Sequence, residues 1–191
     1  MKLWDKNNSV NEKIIEFTVG DDRLNDLYLI KYDVKASISH AKMLYRSNLL
    51  SEIECDKIIN VLNEILSQAE AGELKIEKEF EDMHSKIEYI LTDKLGDIGK
   101  KIHTARSRND QVLVSIQLYL IDELNFIKTE VKSLFDLLIN LAKKNKNIIM
   151  PGYTHMRAAM PSSFGLWFSA YAEILIDDVI SLNSSIEIIN Q

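Results

Sequence analysis

The sequence is poor in three residue types on which other classes of protein depend. It has one cysteine, Cys55, in 191 residues, which excludes an internal disulfide and a site built on a cysteine pair. It has only two prolines, Pro151 and Pro161, and six glycines. Because sheets need frequent turns and turns draw on these two residue types, their scarcity predicts long helices and an all-α fold.

A basic excess and a long apolar run are also missing. Lys and Arg total 23 against 29 Asp and Glu, a formal net charge of -6, which disfavours binding to nucleic acid or to an anionic membrane. The N-terminus is charged, and no stretch approaches the roughly 18 uncharged apolar residues of a membrane span. With 46% hydrophobic residues the chain is expected to fold, and with a single cysteine it is expected to be cytoplasmic.

Apolar residues at spacings of three and four predict five helices. They cover about residues 22–47, 51–72, 79–95 and 113–141, and a last segment that begins at Pro161 and has no visible end. The fourth helix averages close to the 3.5-residue period of bundled helices. We expect a helical domain at 1–106 and the first part of a helical bundle at 107–191, with other subunits or further sequence covering the remaining apolar stripes.

The densest polar segment, residues 101–111, lies where a loop enters the long helix. Ser107 and Asp110 form a variant of the capping box, so one interpretation is that the segment only begins a helix and its arginines are solvated. In the other interpretation Arg106, Arg108 and the Asn109 amide converge as hydrogen-bond donors for carboxylates. A dicarboxylate substrate would suit such a group.

The second polar segment, Pro151–Arg157, is expected to be a tight loop between two helices. It either holds the hydroxyl of Thr154 and the imidazole of His155 in fixed directions or is a plain connection. His84 lies on a predicted helix and either contacts a ligand or is a hydrogen-bonded residue of the helix surface. The sequence contains no phosphate-binding loop, dinucleotide-binding glycine motif, paired-histidine zinc motif or nucleophile elbow.

Together, His103–Val112 and Pro151–His155 resemble the first two signatures of the argininosuccinate lyase family, within the fumarase and aspartase superfamily. Leu3-Trp4 and Tyr32–Val34 are similar to the N-terminal region of that family. The resemblance implies a helical subunit with a long-helix bundle, assembled as a homotetramer whose active sites combine residues of three subunits. It also implies the reversible elimination of argininosuccinate to arginine and fumarate, a step of arginine biosynthesis, without a metal or organic cofactor.

Carried over by position, the resemblance gives individual residues a role. His155 would take part in proton transfer, and seven residues would bind substrate or build its pocket: Asn109, Thr154, Ser107, Arg108, Asp110, Asp26 and His84. His103 is a further candidate at the same pocket.

The sequence departs from the family in two respects. Arg157 stands where the family usually has Gln, which changes hydrogen bonding and charge at the pocket. The third family signature, a serine- and lysine-containing loop, does not occur in these 191 residues. The resemblance therefore implies the N-terminal part of a longer protein, inactive by itself. Two alternatives stay open: a sister lyase acting on another succinyl-amine or on malate, and a non-catalytic helical assembly protein.

Overall fold

A computed structural model describes residues 12–191. The described part contains seven α-helices, one 3₁₀ turn and one two-stranded sheet, so the predicted all-α class is confirmed. In chain order the elements are α1 (Glu12–Val19), α2 (Asp22–Arg46), α3 (Glu52–Glu70), α4 (Met83–Leu95), α5 (Asp97–Lys100), the 3₁₀ turn Lys101–His103, α6 (Arg108–Asn145), β1 (Ile149–Thr154), β2 (Arg157–Ser163) and α7 (Phe164–Ile189). The pair Leu3-Trp4 lies outside the described residues.

The chain forms two compact units, whose boundary falls between Tyr119 and Leu120. That boundary lies inside α6, twelve residues after the helix begins at Arg108. The division at 106 and 107 concerns the domains of a whole protein and stays a prediction.

The core of the first unit consists of apolar side chains from α2, α3 and α4. Its fully buried members include Val34, Leu44, Ile58, Leu62, Ile87 and Leu91. These residues recur at helical spacing along their elements, as the sequence predicted. At about 25 cal/mol per Å² of apolar surface removed from water, such burial is the main stabilising term of the unit.

Side-chain caps mark the start of α3 and α4 in the first unit. Ser51 and Glu54 form a capping box at α3, as their spacing of three residues in the sequence predicts: Glu54 N–H donates to Ser51 Oγ at 3.3 Å, and Ser51 N–H donates to Glu54 Oε2 at 3.0 Å. The third predicted helix was placed about four residues too early, because Asp82 caps α4 by accepting from Ser85 N–H at 2.7 Å. The loop predicted after Gly99 is also partly wrong, because α5 and the 3₁₀ turn occupy residues 97–103.

The second unit contains a β-hairpin that the sequence did not predict. Residues 151–157 are not a loop between helices: β1 and β2 pair antiparallel and are joined by the two-residue turn His155–Met156. Pro161 lies in β2, so the last helix does not begin there. It begins at Phe164, because Ser163 Oγ accepts from Leu166 N–H at 3.1 Å and caps α7.

Long apolar side chains remain exposed on the second unit. They include Leu134 and Leu137 on α6 and Trp167, Tyr171, Ile174 and Ile180 on α7. Soluble monomers seldom expose such contiguous apolar surface, which fits the expectation that other protein surfaces cover it. Across residues 12–191, no helix combines the length and apolarity needed to cross a bilayer.

Candidate functional site

The N-terminus of α6 is the starting point of a polar cluster in the first unit. Asp110 N–H donates to Ser107 Oγ at 3.4 Å, and Ser107 N–H donates to Asp110 Oδ2 at 2.7 Å. The predicted capping box therefore exists. The backbone N–H and the side chain of Ser107 hydrogen-bond the Asp110 carboxylate and hold its pKa below its usual range.

Arg106 points into the protein and is not solvated. Its Nη1 donates to Ser37 Oγ of α2 at 2.9 Å. Its Nε and Nη2 are buried, and within residues 12–191 neither has a hydrogen-bond partner. Burial lowers the pKa of this guanidinium, while the charges of Asp33 and Glu88 act in the opposite direction. The interpretation of the polar segment as a bare helix start with solvated arginines is therefore wrong for Arg106.

Arg108, the first residue of α6, joins that helix to the start of α4. Its Nη2 donates to Ser85 Oγ at 3.5 Å, and its Nε lies 3.7 Å from Asp82 Oδ2. Its Nη1 lies 3.9 Å from Glu88 Oε1. Since Ser85 Oγ in turn donates to Asp82 Oδ1 at 2.7 Å, the guanidinium closes a small network around the Asp82 cap.

His84 is buried in this cluster, so its placement on the helix surface is wrong. Its side chain is 2% exposed, and its Nδ1 lies 3.1 Å from Oδ2 of Asp33, which is 0% exposed. The other carboxylate oxygen of Asp33 lies 3.5 Å from Ser115 Oγ on α6. Burial raises the pKa of Asp33 to about 6 even though the charges of Arg106 and Arg108 favour its ionised form.

Two more carboxyl groups border the cluster. Asp26 of α2 accepts from Met83 N–H at 2.9 Å, and burial raises its pKa to about 6 in spite of that hydrogen bond. Glu88 Oε1 lies 3.0 Å from His103 Nδ1. Burial also raises the pKa of Glu88, and the charge of His103 opposes the shift.

The first unit thus holds six of the eight predicted site residues. Asp26, His84 and Arg108 belong to the polar cluster by direct contacts, and Ser107, Asn109 and Asp110 form the exposed start of α6 beside it.

Thr154 and His155 belong to the hairpin of the second unit. Both are exposed, and Thr154 pairs with Arg157 across the turn. His155 and Met156 have φ values of 49° and 63°, the left-handed pair that a tight two-residue hairpin turn requires. The turn therefore fixes the backbone direction of the histidine and leaves its ring accessible.

Sequence reasoning missed Asp33, Ser37, Glu88 and Ser115 as members of the cluster. A signal for the first two exists: both stand at helical spacing within the buried face of α2, among Ile30, Val34 and Ala41. A charged residue on a buried helix face is rare unless it has a partner. That partner comes from elsewhere in the chain and is visible only in three dimensions.

The cluster combines cationic donors with carboxyl groups. It holds the guanidinium groups of Arg106 and Arg108 beside Asp33, Asp82 and Glu88, and the Asn109 amide lies at its exposed edge. Arginine and amide donors are the groups that bind carboxylates most effectively. A search of the described residues finds no group of three or more His, Cys, Asp or Glu side chains suited to hold a metal ion.

Comparison with known proteins gives matches over almost the whole chain. A family model described as Lyase matches residues 14–191. Argininosuccinate lyase of Phocaeicola vulgatus is 51% identical over 190 residues, which cover 100% of this chain and 43% of that relative. Argininosuccinate lyase of Thermotoga neapolitana is 47% identical over 190 residues, covering 100% of this chain and 48% of the relative.

Among solved structures, the recombinant class II fumarase from Schistosoma mansoni superposes with a TM-score of 0.76 at 18% identity. The match covers 99% of this chain and 44% of that structure, and at this identity it shows a shared fold. The chain therefore spans less than half the length of these relatives.

Proposed function

The chain belongs to the lyase family whose model matches residues 14–191, and on that premise we propose that the whole protein is an argininosuccinate lyase. This carbon–nitrogen lyase splits argininosuccinate into arginine and fumarate. The observation that carries the proposal is the 51% identity to an argininosuccinate lyase over the full length of this chain. The polar cluster of the first unit supplies a matching chemistry, because it combines guanidinium and amide donors with carboxyl groups and the substrate carries both carboxylates and cationic nitrogen groups.

The reaction sets clear demands on the protein. A base removes a proton from the carbon beside a carboxylate, the electron pair forms the double bond of fumarate, and the C–N bond breaks with protonation of the leaving nitrogen. The carbanion-like intermediate carries additional negative charge next to the carboxylate. Fixed hydrogen-bond donors and cations that stabilise this charge more than that of the substrate lower the barrier.

We assign the residues of this chain accordingly. Asn109 binds a substrate carboxylate at the start of α6, and Ser107, Arg108 and Asp110 build that end of the pocket. Thr154 binds substrate from the hairpin. Support for these assignments comes from the donor chemistry of the side chains and from the hydrogen bonds that hold α6 in place.

His155 takes part in proton transfer, a role that fits an exposed imidazole held by a defined turn. His84 and Asp26 bind substrate next to α4. His103 belongs to the same surface through its contact with Glu88.

We also propose that the protein is a cytoplasmic homotetramer whose active sites combine residues of different subunits. The exposed apolar side chains of α6 and α7 support this assembly, since they need a covering surface. No metal or organic cofactor enters the proposed reaction.

The test is an assay of the protein encoded by the whole reading frame. Purified protein is mixed with argininosuccinate, and fumarate is followed by its ultraviolet absorbance; a panel with malate and other succinyl-amines runs in parallel. Release of fumarate from argininosuccinate at a kcat/KM at least about 100-fold above that of every other panel member is expected. Preference for another member would identify a sister lyase, and inactivity on all of them would favour a non-catalytic assembly protein.

A further inference from the structure

The buried contact between Asp33 and His84 connects α2 with α4 inside the polar cluster. The two residues are 51 positions apart in the sequence, and both side chains are at most 2% exposed. Asp33 Oδ2 and His84 Nδ1 lie 3.1 Å apart without the alignment of a hydrogen bond, and within residues 12–191 neither atom has a hydrogen-bond partner. For each of these two buried atoms, the contact with the other therefore takes the place of a hydrogen bond.

A carboxylate placed in this way costs free energy of folding, because burial opposes the ionisation of Asp33. The groups that face it are charged or polar: His84 and Asp82 from the start of α4, Arg106 and Arg108 around the start of α6, and Ser115 about two turns further along α6.

An ionised Asp33 can only accept hydrogen bonds, which determines what His84 presents elsewhere. A negative charge next to Nδ1 favours the ring form that carries its proton on Nδ1, and the burial of both side chains restricts the orientation of the ring. Nε2 then has a defined direction and an unshared electron pair. In that state it accepts a hydrogen bond from an N–H group of a ligand.

We propose that Asp33 is a positioning residue of the substrate site, holding His84 with its proton on Nδ1 so that Nε2 accepts an N–H of the substrate's nitrogen-bearing part. This inference rests on the proposed function, in which His84 binds substrate. It adds a residue that the sequence did not single out, and it gives His84 a directional role. Asp33 itself does not touch the substrate.

The kinetic test uses Asp33→Asn, which keeps the size of the side chain and removes its charge. In the protein encoded by the whole reading frame we expect KM for argininosuccinate to rise about 10-fold while kcat changes less than about threefold. His84→Gln is expected to raise KM to a similar extent. In the double variant the two effects should not multiply, because Asp33 acts through His84.

Asp97→Asn is the matched control, because this aspartate is exposed and pairs with Lys100 at the surface. It should leave both constants at their original values. The proposal is wrong if Asp33→Asn raises KM by the same factor in the wild-type protein and in the His84→Gln variant. It is also wrong if Asp33→Asn lowers kcat and leaves KM unchanged.

A second measurement needs neither a folded Asp33 variant nor activity. Long-range ¹H–¹⁵N spectra of the wild-type protein at pH 8 report which ring nitrogens carry protons, and the His84→Gln spectrum identifies the signals of His84. A proton on Nδ1 is expected. Absence of this proton would overturn the proposal even if the enzyme is active. If the wild-type protein releases no fumarate, the proposed function is refuted, and the spectrum still shows whether Nδ1 of His84 carries a proton.

Discussion

Ser107 and Asp110 satisfy each other's backbone at the start of α6, with donor–acceptor distances of 2.7 and 3.4 Å. One oxygen of Asp110 is therefore already engaged by the chain itself. Its contribution to substrate binding is indirect: it fixes the helix end on which Arg108 and Asn109 stand. Helix ends without such a cap leave their first N–H groups unsatisfied.

Asp110→Ala should lower the Tm at pH 7 by a few degrees, because it removes this charge-assisted cap. The hydrogen bonds from Ser107 depress the pKa of Asp110, so their stabilisation is present above the ordinary aspartate pKa and disappears as the pH falls through the depressed value. The difference in Tm between variant and wild type should therefore shrink at strongly acidic pH, as thermal unfolding monitored by circular dichroism would show. Asp178→Ala, an exposed change on α7, is the control.

Asp26→Asn should behave in the opposite way. Burial raises the pKa of Asp26 to about 6, so the folded state binds its proton more tightly than the unfolded state, and stability falls as the pH rises from about 4 to about 6. The amide keeps the acceptor for Met83 N–H and cannot ionise. Relative to wild type, the variant should gain about 1–2 kcal/mol over this interval, after allowance for solvent screening.

Urea unfolding of both proteins at pH 4, 5 and 6 measures this difference. A constant difference across the three values would show that Asp26 ionises with an ordinary pKa.

Met156→Gly should preserve or slightly raise stability. Met156 has φ 63° and is 98% exposed, so it makes few contacts while occupying a backbone region that favours glycine. Relief of this strain is worth about 0.5–1 kcal/mol, partly offset by the greater flexibility of glycine in the unfolded chain. Met156→Val should destabilise the turn, because a β-branched residue fits this region poorly. Urea unfolding compares the two variants, and equal stabilities would contradict the role of the turn.

His155→Asn should lower kcat for argininosuccinate by about 10²–10⁴-fold, the usual contribution of a positioned acid or base. The exposed position of the side chain means that the fold should survive, and an unchanged Tm would confirm this. Fumarate absorbance measures the rate. A loss of less than tenfold would remove His155 from the proton-transfer step.

The helices α2, α3 and α4 of the first unit were predictable because local rules determine them, whereas α1 and α5 were not predicted. The Ser51 and Glu54 box, the apolar period of α3 and the stop at Gly96 are written within short stretches of sequence. The capping pattern of Ser107 and Asp110 indicated the start of α6 at Arg108, whereas the apolar period alone placed that start at about residue 113. The start of α4 was harder to predict, because several acidic residues precede that helix and the sequence does not show that Asp82 is the one that caps it.

The hairpin and the interior of the polar cluster could not be predicted in this way. The turn at His155–Met156 contains no glycine or asparagine, the residues that normally announce two left-handed positions. Asp33 lies on the buried face of α2, and its partner His84 lies two helices further along the chain, on α4. Pairing between distant residues depends on how helices dock, which no local pattern records.

The polar cluster also has a kinetic consequence. It joins side chains of α2, α4 and the start of α6, so no single helix or pair of sequence neighbours can form it. Bringing these helices together closes long chain segments into loops, and this loop closure costs conformational entropy before the charged side chains come into contact. The cluster should therefore assemble late, after the apolar faces of α2, α3 and α4 have come together. Substitutions at Asp33 should chiefly accelerate unfolding and leave the refolding rate almost unchanged. The cluster therefore contributes to the kinetic stability of the first unit, because it slows its unfolding.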